Sequence, residues 1–417
     1  MTDCLHPMFF LCVFLFEVFF LFFFEKKIWG TYFTPLNFLS LPYTLVTLVA
    51  IVYSYASLGV PDFYFPSLIV WMVGLFFFFI PSLFFSFANK NKEFLFQICV
   101  GKKDDNYRLL TVIALVCIAI SMSRIHSVVS LSGMSFGSDE FSEEYEVKGV
   151  LAHLSVLMSA IFAYMVYKAD ARHKFAYIVI LLALVGMYAV GVKSWIIAPF
   201  LIGYFARIVS GKTTFSFKSV LLPVLACILI FVLSYFILMV VSGKSELSSV
   251  WFTFVTNHFI DYLSGGALAL SLDIKAGILE PEMTEALFTP VINIFNFVFG
   301  GEYLSSLNPI FLSIGDLGET NVRTFMGTIW VYSQNIFSYA IIVNVFGTFF
   351  YLLYSYLRFS SNIFMLLANC GNFTFLALGF FDFYWLTLGA YEIILILLLL
   401  YLMSRLSLRN VFKIKKE

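Results

Sequence analysis

Apolar runs of about twenty residues recur along almost the whole chain, and this repetition limits what the chain can fold into. An α-helix needs roughly 20 residues to cross the hydrocarbon core of a bilayer, where it satisfies its own backbone hydrogen bonds. Of the 417 residues, 61% are hydrophobic and only 12% are charged, a balance that excludes an ordinary soluble domain. The sequence therefore predicts an all-α integral membrane protein, with residues 1–417 forming a single polytopic membrane domain.

The apolar runs predict about eleven transmembrane helices, within a range of about 10–13. Short polar connectors separate most of them, as expected for a multi-pass protein. The predicted spans are residues 8–24, 38–57, 65–87, 109–131, 150–167, 175–190, 195–209, 220–241, 336–357, 363–386 and 391–408.

The basic residues indicate the orientation of these spans. Lys and Arg collect in the connectors 90–108, 168–174 and 207–218 and in the tail 405–416, which this span count puts on one side of the membrane. Cytoplasmic loops carry such an excess, so the amino terminus and residues 242–333 are expected on the opposite, external side. The first apolar run precedes its basic pair, Lys26 and Lys27, and this order predicts a retained anchor rather than a cleaved signal peptide.

Charge and cysteine usage exclude several other classes of protein. The formal net charge is zero and no basic domain exists beyond the cytoplasmic connectors, so no nucleic-acid partner is predicted. The six cysteines show no CxxC pattern, which argues against a disulfide framework and a metal site. The sequence also lacks a GxxxxGK[ST] loop, a DxD motif and an HExxH motif, and we expect neither a metal nor a cofactor.

Residues 242–333 form one large external loop that is too polar for plain spans and too aromatic for a disordered linker. We expect amphipathic helices on the membrane surface, joined by turns at Gly265/Gly266, Pro281, Pro290 and Gly300/Gly301. The alternative is that residues around 287–299 form a re-entrant segment or a full span. A loop of this length in a compact protein is usually functional, so this loop is the predicted site.

Four side chains of this loop suit transfer chemistry. His258 and Asp261 are three residues apart and share a face if the segment is helical; one of them could deprotonate a sugar hydroxyl, or the two could be a surface pair without a task. Glu319 competes with them as the base. Arg323 offers a planar, permanently charged group suited to phosphate oxygens.

Two further cations lie near the external ends of predicted spans. Lys193 is a candidate phosphate ligand, with a snorkelling anchor as the alternative. Arg124 lies within a predicted span, where an ionisable group suggests function; the alternative is an arginine hydrogen-bonded to a neighbouring helix.

Four stretches resemble the bacterial O-antigen and capsular repeat-unit polymerases, the Wzy family. They are "GTYFTPLNFLSLPY", "GVKSWIIAPFLIGYFARIVSGK", "YLSGGALALS" and "TNVRTFMGTIWVYSQNIFSYAIIVNVFG". The last is similar to a family segment in which Tyr is more common at the position of Arg323, so Arg323 is retained here on physical grounds alone. The resemblance assigns Thr320, Asn321, Thr324 and Phe325 to the lining of the substrate site. Tyr262, in the third stretch, is a further candidate for substrate binding.

The resemblance implies a glycosyltransferase of GT-C-like architecture in the bacterial inner membrane, with its active site facing the periplasm. Its substrate would be a polyprenyl-diphosphate-linked oligosaccharide. The growing glycan would move from its lipid diphosphate onto a new lipid-linked repeat unit, with inversion and without a metal. A flippase and a chain-length regulator are the expected protein partners.

Under this interpretation, the base is His258 or Asp261, with Glu319 as competitor, and Lys193, Arg323 and Arg124 stabilise the departing diphosphate. An O-antigen ligase shares the donor and the large loop and is the first alternative. A lipid-linked oligosaccharide flippase is the second, although two related halves and short loops are expected of it. A membrane acyltransferase would show a histidine-led motif near the first span, where only His6 occurs.

Overall fold

The computed structural model describes residues 7–57, 59–89, 106–134, 141, 144–145, 149–190, 193–241, 249–305, 310–358 and 362–405. These residues are almost entirely helical, with one short antiparallel hairpin. The helices are α1 (Pro7–Trp29), α2 (Pro35–Ala56), α3 (Leu68–Ala88), α4 (Tyr107–Ser132), α5 (Val150–Lys168), α6 (Phe175–Tyr188), α7 (Ser194–Val209), α8 (Phe217–Val241), α9 (Ser249–Ala276), α10 (Thr289–Phe299), α11 (Phe325–Val331), α12 (Ile336–Leu357), α13 (Ile363–Ala377) and α14 (Leu388–Arg405). The hairpin pairs β1 (Leu312–Ser313) with β2 (Glu319–Thr320).

Eight helices in the described part of the chain are long and apolar enough to cross a membrane, and each lies on a predicted span. The prediction of an all-α, multi-pass membrane protein is therefore confirmed. The other three predicted spans coincide with the shorter apolar helices α6, α7 and α14, so the count of eleven and the orientation stay predictions. Residues 242–248 and 306–309 of the large loop, and 406–408 of the last predicted span, lie outside the described residues.

Two predictions about where helices end are wrong. The turn expected at Gly265/Gly266 does not exist, because α9 continues through both glycines; here glycine allows another segment to approach a helix closely. The span predicted over residues 363–386 ends at Ala377 and is followed by two 3-10 turns, Leu378–Phe380 and Tyr384–Leu386. The side chain of Asp382, which lies between these turns, accepts a hydrogen bond from the backbone of Phe383 and so stabilises the break.

The chain divides into two compact units. The first unit comprises Met1–Lys92, Ser249–Tyr356 and Phe375–Tyr391, and the second comprises Glu93–Ser248, Leu357–Thr374 and Glu392–Glu417.

In the first unit, α1, α3 and α12 run in the same direction. The hydroxyl of Tyr339 near the beginning of α12 donates to the carbonyl of Val70 near the beginning of α3, at 2.7 Å. Near the other ends of these helices, the hydroxyls of Ser82 on α3 and Tyr351 on α12 both donate to the buried carboxyl of Glu25 on α1. These contacts align α3 with α12, so that the two helices begin at one side of the unit and end at the other.

Two segments of the large loop reach the middle of these helices. The ring of Phe288 stacks on Phe346, near the midpoint of α12, with centroids 5.8 Å apart. The ring of Phe325, the first residue of α11, contacts the ring of Phe78 near the midpoint of α3, with centroids 6.2 Å apart. These contacts favour the re-entrant alternative for residues 287–299 over helices that lie wholly on the membrane surface.

The second unit is built around α5 and α7, which pack closely because Gly203 of α7 has no side chain. A Cβ there would lie 2.4 Å from the carbonyl oxygen of Ala163 on α5. The ring of Tyr164 stacks on Phe364 of α13 at 5.6 Å, and His153 of α5 pairs with Glu392 of α14 at 2.6 Å.

Candidate functional site

The predicted stretches "YLSGGALALS" and "TNVRTF" meet in the first unit, at the two glycines of α9. A Cβ on Gly265 would lie 2.5 Å from Oδ1 of Asp261 and 3.5 Å from Oγ1 of Thr320. The room left by the absent side chain is therefore occupied by the Asp261 carboxylate, with the Thr320 hydroxyl beside it. Thr320 is buried and is held in register by the pairing of β2 with Leu312 of β1.

Asp261 is the carboxylate of this space. Its Oδ1 atom is buried and has no hydrogen-bond partner, and burial raises the pKa of Asp261 to about 6. A carboxylate whose oxygen is already desolvated and unpartnered can accept a proton from a hydroxyl that is brought to it. A perturbed pKa of this origin is typical of functional sites.

The second glycine brings the break after α13 onto α9. A Cβ on Gly266 would lie 2.5 Å from the carbonyl oxygen of Phe381. That carbonyl accepts a hydrogen bond from the backbone of Thr324 at 3.1 Å, and the ring of Phe381 stacks on Tyr262 at 5.1 Å with the planes 2° apart. Tyr262 and Thr324, both predicted site residues, are thus held by the same residue.

Thr324 has a strained backbone. It is the one non-glycine residue in the described part of the chain with a positive φ, at 67°, which costs on the order of 1–3 kcal/mol. Two bonds hold this conformation: the Thr324 hydroxyl accepts from the backbone of Gly327 at 3.1 Å and so caps α11, and its own N–H donates to Phe381. Strain of this kind is concentrated at active sites and ligand-binding segments.

Arg323 is buried behind these residues, with only 2% of its side chain exposed. Its Nε donates to the carboxylate of Asp273 on α9, which is 1% exposed. Its Nη1 donates to the carbonyl of Val322 at 3.2 Å and its Nη2 to that of Ile310 at 3.4 Å. The group predicted to bind phosphate is therefore used within the protein, where it joins the hairpin and the start of α11 to α9.

Three acidic groups surround this single arginine. Burial raises the pKa of Asp273 to about 6 although the charge of Arg323 opposes the rise. Burial likewise raises the pKa of Glu280, again opposed by Arg323. Asp382 follows the same pattern, with its pKa raised to about 6 by burial and lowered in part by its hydrogen bonds. The surroundings of Arg323 are thus acidic, which disfavours a second anion there.

Asp382 is a further candidate site residue, to which the sequence alone assigned no role beyond hydrogen bonding between helices. Its Oδ1 accepts from the backbone of Phe383 at 2.7 Å and from the hydroxyl of Thr328 at 3.5 Å. Its Oδ2 makes no hydrogen bond to any described residue, so one oxygen orients the carboxylate and the other stays available. A lone acid in an otherwise apolar run was the signal that could have identified it.

The remaining predicted residues of the large loop have separate surroundings. His258, on α9 with Asp261, contacts the ring of Phe254 edge-on at 4.4 Å. Glu319 is exposed on β2, opposite Ser313 of β1. Asn321 is half-buried in the link between β2 and α11.

The two other predicted cations belong to the second unit. Lys193, directly before α7, donates to the hydroxyl of Tyr235 at 3.1 Å and lies 4.3 Å from the centre of that ring. Arg124 on α4 donates to the backbone carbonyl of Glu144 at 2.8 Å. Both side chains therefore have protein partners, and their binding of a diphosphate stays a prediction.

Among the described residues, no three His, Cys, Asp or Glu side chains are grouped so as to hold a metal ion.

The fold and these residues define a class: an all-α, multi-pass membrane protein with an acidic cluster on a glycine-containing helix. The chain belongs to the family described as a family of unknown function, DUF6337, whose sequence profile matches residues 59–410. That match includes α9, the hairpin, α11 and the break that carries Asp382. Neither a curated protein nor a solved structure matches the chain.

Proposed function

We propose that this protein is a glycosyltransferase that polymerises lipid-linked oligosaccharide repeat units at the external face of the bacterial inner membrane. The donor is a glycan on polyprenyl diphosphate and the acceptor is a second lipid-linked unit. The observation that carries the proposal is the unpartnered Oδ1 of Asp261, buried beside Gly265 and Thr320.

Asp261 is the proposed general base. Its carboxylate takes the proton of the acceptor hydroxyl while that oxygen bonds to the anomeric carbon of the donor, and the bond from this carbon to the diphosphate oxygen breaks. One bond forms and one breaks on opposite faces of the sugar, so the configuration inverts. Asp261 is favoured over His258 and Glu319 because its oxygen is buried without a partner, whereas Glu319 is exposed.

The other residues around Gly265 and Gly266 support this reaction by their positions. The hydroxyl of Thr320 lies beside Gly265 and the methyl group of Thr324 lies beside Gly266, on a backbone that the hairpin and Phe381 hold in place. Tyr262, stacked on Phe381, offers an aromatic surface of the kind on which sugar rings pack. Arg323 is a positioning residue in this account, because Asp273 and backbone carbonyls occupy its donors.

The direct test is reconstitution. Purified protein in nanodiscs, supplied with lipid-linked repeat units, is expected to yield a ladder of products that differ by whole units. Asp261→Asn should lower the rate by about 10²–10⁴-fold, the usual contribution of a general base. Formation of no product longer than one unit by the unsubstituted protein, or transfer of the glycan only to a lipid A core acceptor, would contradict the proposal.

A further inference from the structure

Six apolar side chains of α10 are exposed, in a helix that is composed mainly of apolar residues. Their exposed fractions lie between 52% and 75% in a stretch without any charged residue. They are Val291, Ile294, Phe295, Phe297, Val298 and Phe299. Such a surface is too large and continuous to be left in water.

The polar side chains of α10 are used on its other face. Asn293 forms two hydrogen bonds with the backbone of Leu304, donating at 2.9 Å and accepting at 2.8 Å. Asn296 donates to the carbonyl of Glu302. The two amides hold the chain that follows against the helix, so the exposed face is purely apolar.

The contacts at the two ends of this segment fix its depth. Phe288, directly before α10, stacks on Phe346 near the midpoint of α12. Beyond α10 the chain returns to the end at which α3 begins, because Asp316 donates its N–H to the carbonyl of Gly59, in the link between α2 and α3, at 2.8 Å. Before α10, the backbone N–H of Glu280 donates to the carbonyl of Val331, shortly before α12 begins, at 2.7 Å. The chain therefore reaches the level of the middle of α12 and returns to the side at which α3 and α12 begin.

The length of α10 fits that path. Its 11 residues extend about 16 Å at roughly 1.5 Å per residue, which is about half of the roughly 30 Å hydrocarbon core. The helix is thus too short to span the bilayer and long enough to cross one leaflet.

We propose that α10 is inserted into a single bilayer leaflet, the one at which α3 and α12 begin, and that its exposed face binds the hydrocarbon chains of the lipids in that leaflet. The Phe288 end lies near the bilayer centre, and Glu302 and Tyr303 lie at the interface. Residues 288–303 contain no Lys or Arg, so the binding does not depend on anionic lipids. This inference does not rest on the proposed enzymatic function.

Spin labels test the proposal through their depth. Val291→Cys and Val298→Cys, each labelled in a cysteine-free full-length chain in phosphatidylcholine nanodiscs, are compared for accessibility to oxygen and to a water-soluble nickel complex. Both labels should be accessible to oxygen rather than to nickel, and residue 291 should be deeper by up to about 10 Å, the rise of seven helical residues. A label at Phe76, an exposed residue near the middle of α3, provides the deep reference.

Three results would overturn the proposal. Equal, shallow depths at the two positions would mean a helix lying on the surface, and high nickel accessibility would mean a helix in water. Strong spin–spin broadening would mean that a second copy of the chain covers the face. If the cysteine-free chain does not fold, a photoreactive benzoylphenylalanine at each position of the native chain should form adducts with lipid, and adducts only with protein would contradict the proposal.

Discussion

The guanidinium of Arg323 and the carboxylate of Asp273 form an ion pair from which water is almost fully excluded, with 2% and 1% of the side chains exposed. The pair joins the strained residue that follows Arg323 to α9, the helix that carries Asp261. Sequence alone suggested a phosphate ligand at Arg323. In the structure, the bonds of this arginine hold the hairpin and α11 in position, and its binding of a phosphate stays a prediction.

Removing one partner of this pair should destabilise the protein strongly. Arg323→Met leaves Asp273 buried and uncompensated, which typically costs about 3–5 kcal/mol. The thermal unfolding midpoint in detergent should therefore fall markedly. Arg323→Met combined with Asp273→Leu should recover much of the loss, and Lys275→Met, at an exposed position of the same helix, should change little. A double variant no better than the single one would show that the pair is not coupled as described.

Gly266→Ala adds only one methyl group, but it should lower both the stability of the protein and its polymerisation activity. The added methyl group would lie 2.5 Å from the carbonyl oxygen of Phe381, a backbone atom that cannot rotate away. Overpacking of this kind costs about 1–3 kcal/mol, and a large loss of polymerisation should accompany it. Gly371→Ala is the control, since its methyl group would meet only side chains of Ile394 and Ile202 at 3.3 Å or more. Equal effects of the two substitutions would contradict the close approach at Gly266.

Asp261 should show opposite effects on stability and on activity. Because its pKa is raised from 3.8 to about 6 in the folded protein, burial of the charged form is penalised above that pH. The free energy of unfolding should therefore fall as pH rises from about 4 to 6. Asp261→Asn removes this penalty and should stabilise the protein at pH 7 by about 1–3 kcal/mol, while it lowers the rate of polymerisation by about 10²–10⁴-fold.

The pH profile of catalysis gives an independent check on the same residue. A general base acts in its deprotonated form, so kcat/KM should rise with pH through about 6 and then level off. A variant at Asp261 that retains polymerisation and the same profile would remove this residue from the mechanism.

Asp382→Asn should weaken the reaction without unfolding the protein. The amide oxygen can keep the bonds from Phe383 and Thr328, but the negative charge of the available oxygen is lost. If Oδ2 accepts a hydrogen bond from the acceptor sugar, KM for the acceptor should rise about 10-fold, the loss of roughly 1.4 kcal/mol from a charge-assisted bond. Asp62→Asn, at an exposed position of the same unit, is the control. An unchanged KM would leave Asp382 only the role of stabilising the break.

Much of the fold could be predicted because hydropathy directly reports what a bilayer requires. The eight long spans lie where the apolar runs placed them. The region between α9 and α12 could not be predicted in the same way, because contacts with distant spans rather than local composition stabilise it. Phe288 on Phe346 is such a contact.

The candidate site was predicted in part for similar reasons. Asp261, Thr320 and Thr324 were identified from their local stretches, and the structure brings them to Gly265 and Gly266. The two glycines were interpreted as a turn because glycine usually breaks a helix; only the packing against Phe381 explains them inside α9. From sequence, Asp382 was assigned only a hydrogen bond between helices, because its run resembles a continuous span. The break becomes visible only with the bonds made by Phe383 and Thr324.

The most direct measurement on the central claim is made in the host. The gene is deleted, then complemented with the natural sequence or with Asp261→Asn, and the surface polysaccharide is separated on a gel beside the lipid-linked intermediates. A product stalled at a single repeat unit, lengthened again by the natural sequence and not by Asp261→Asn, is the predicted result. Long chains that accumulate on the lipid carrier would indicate a ligase instead, and loss of every external repeat would indicate a flippase; either result would contradict the proposed polymerase.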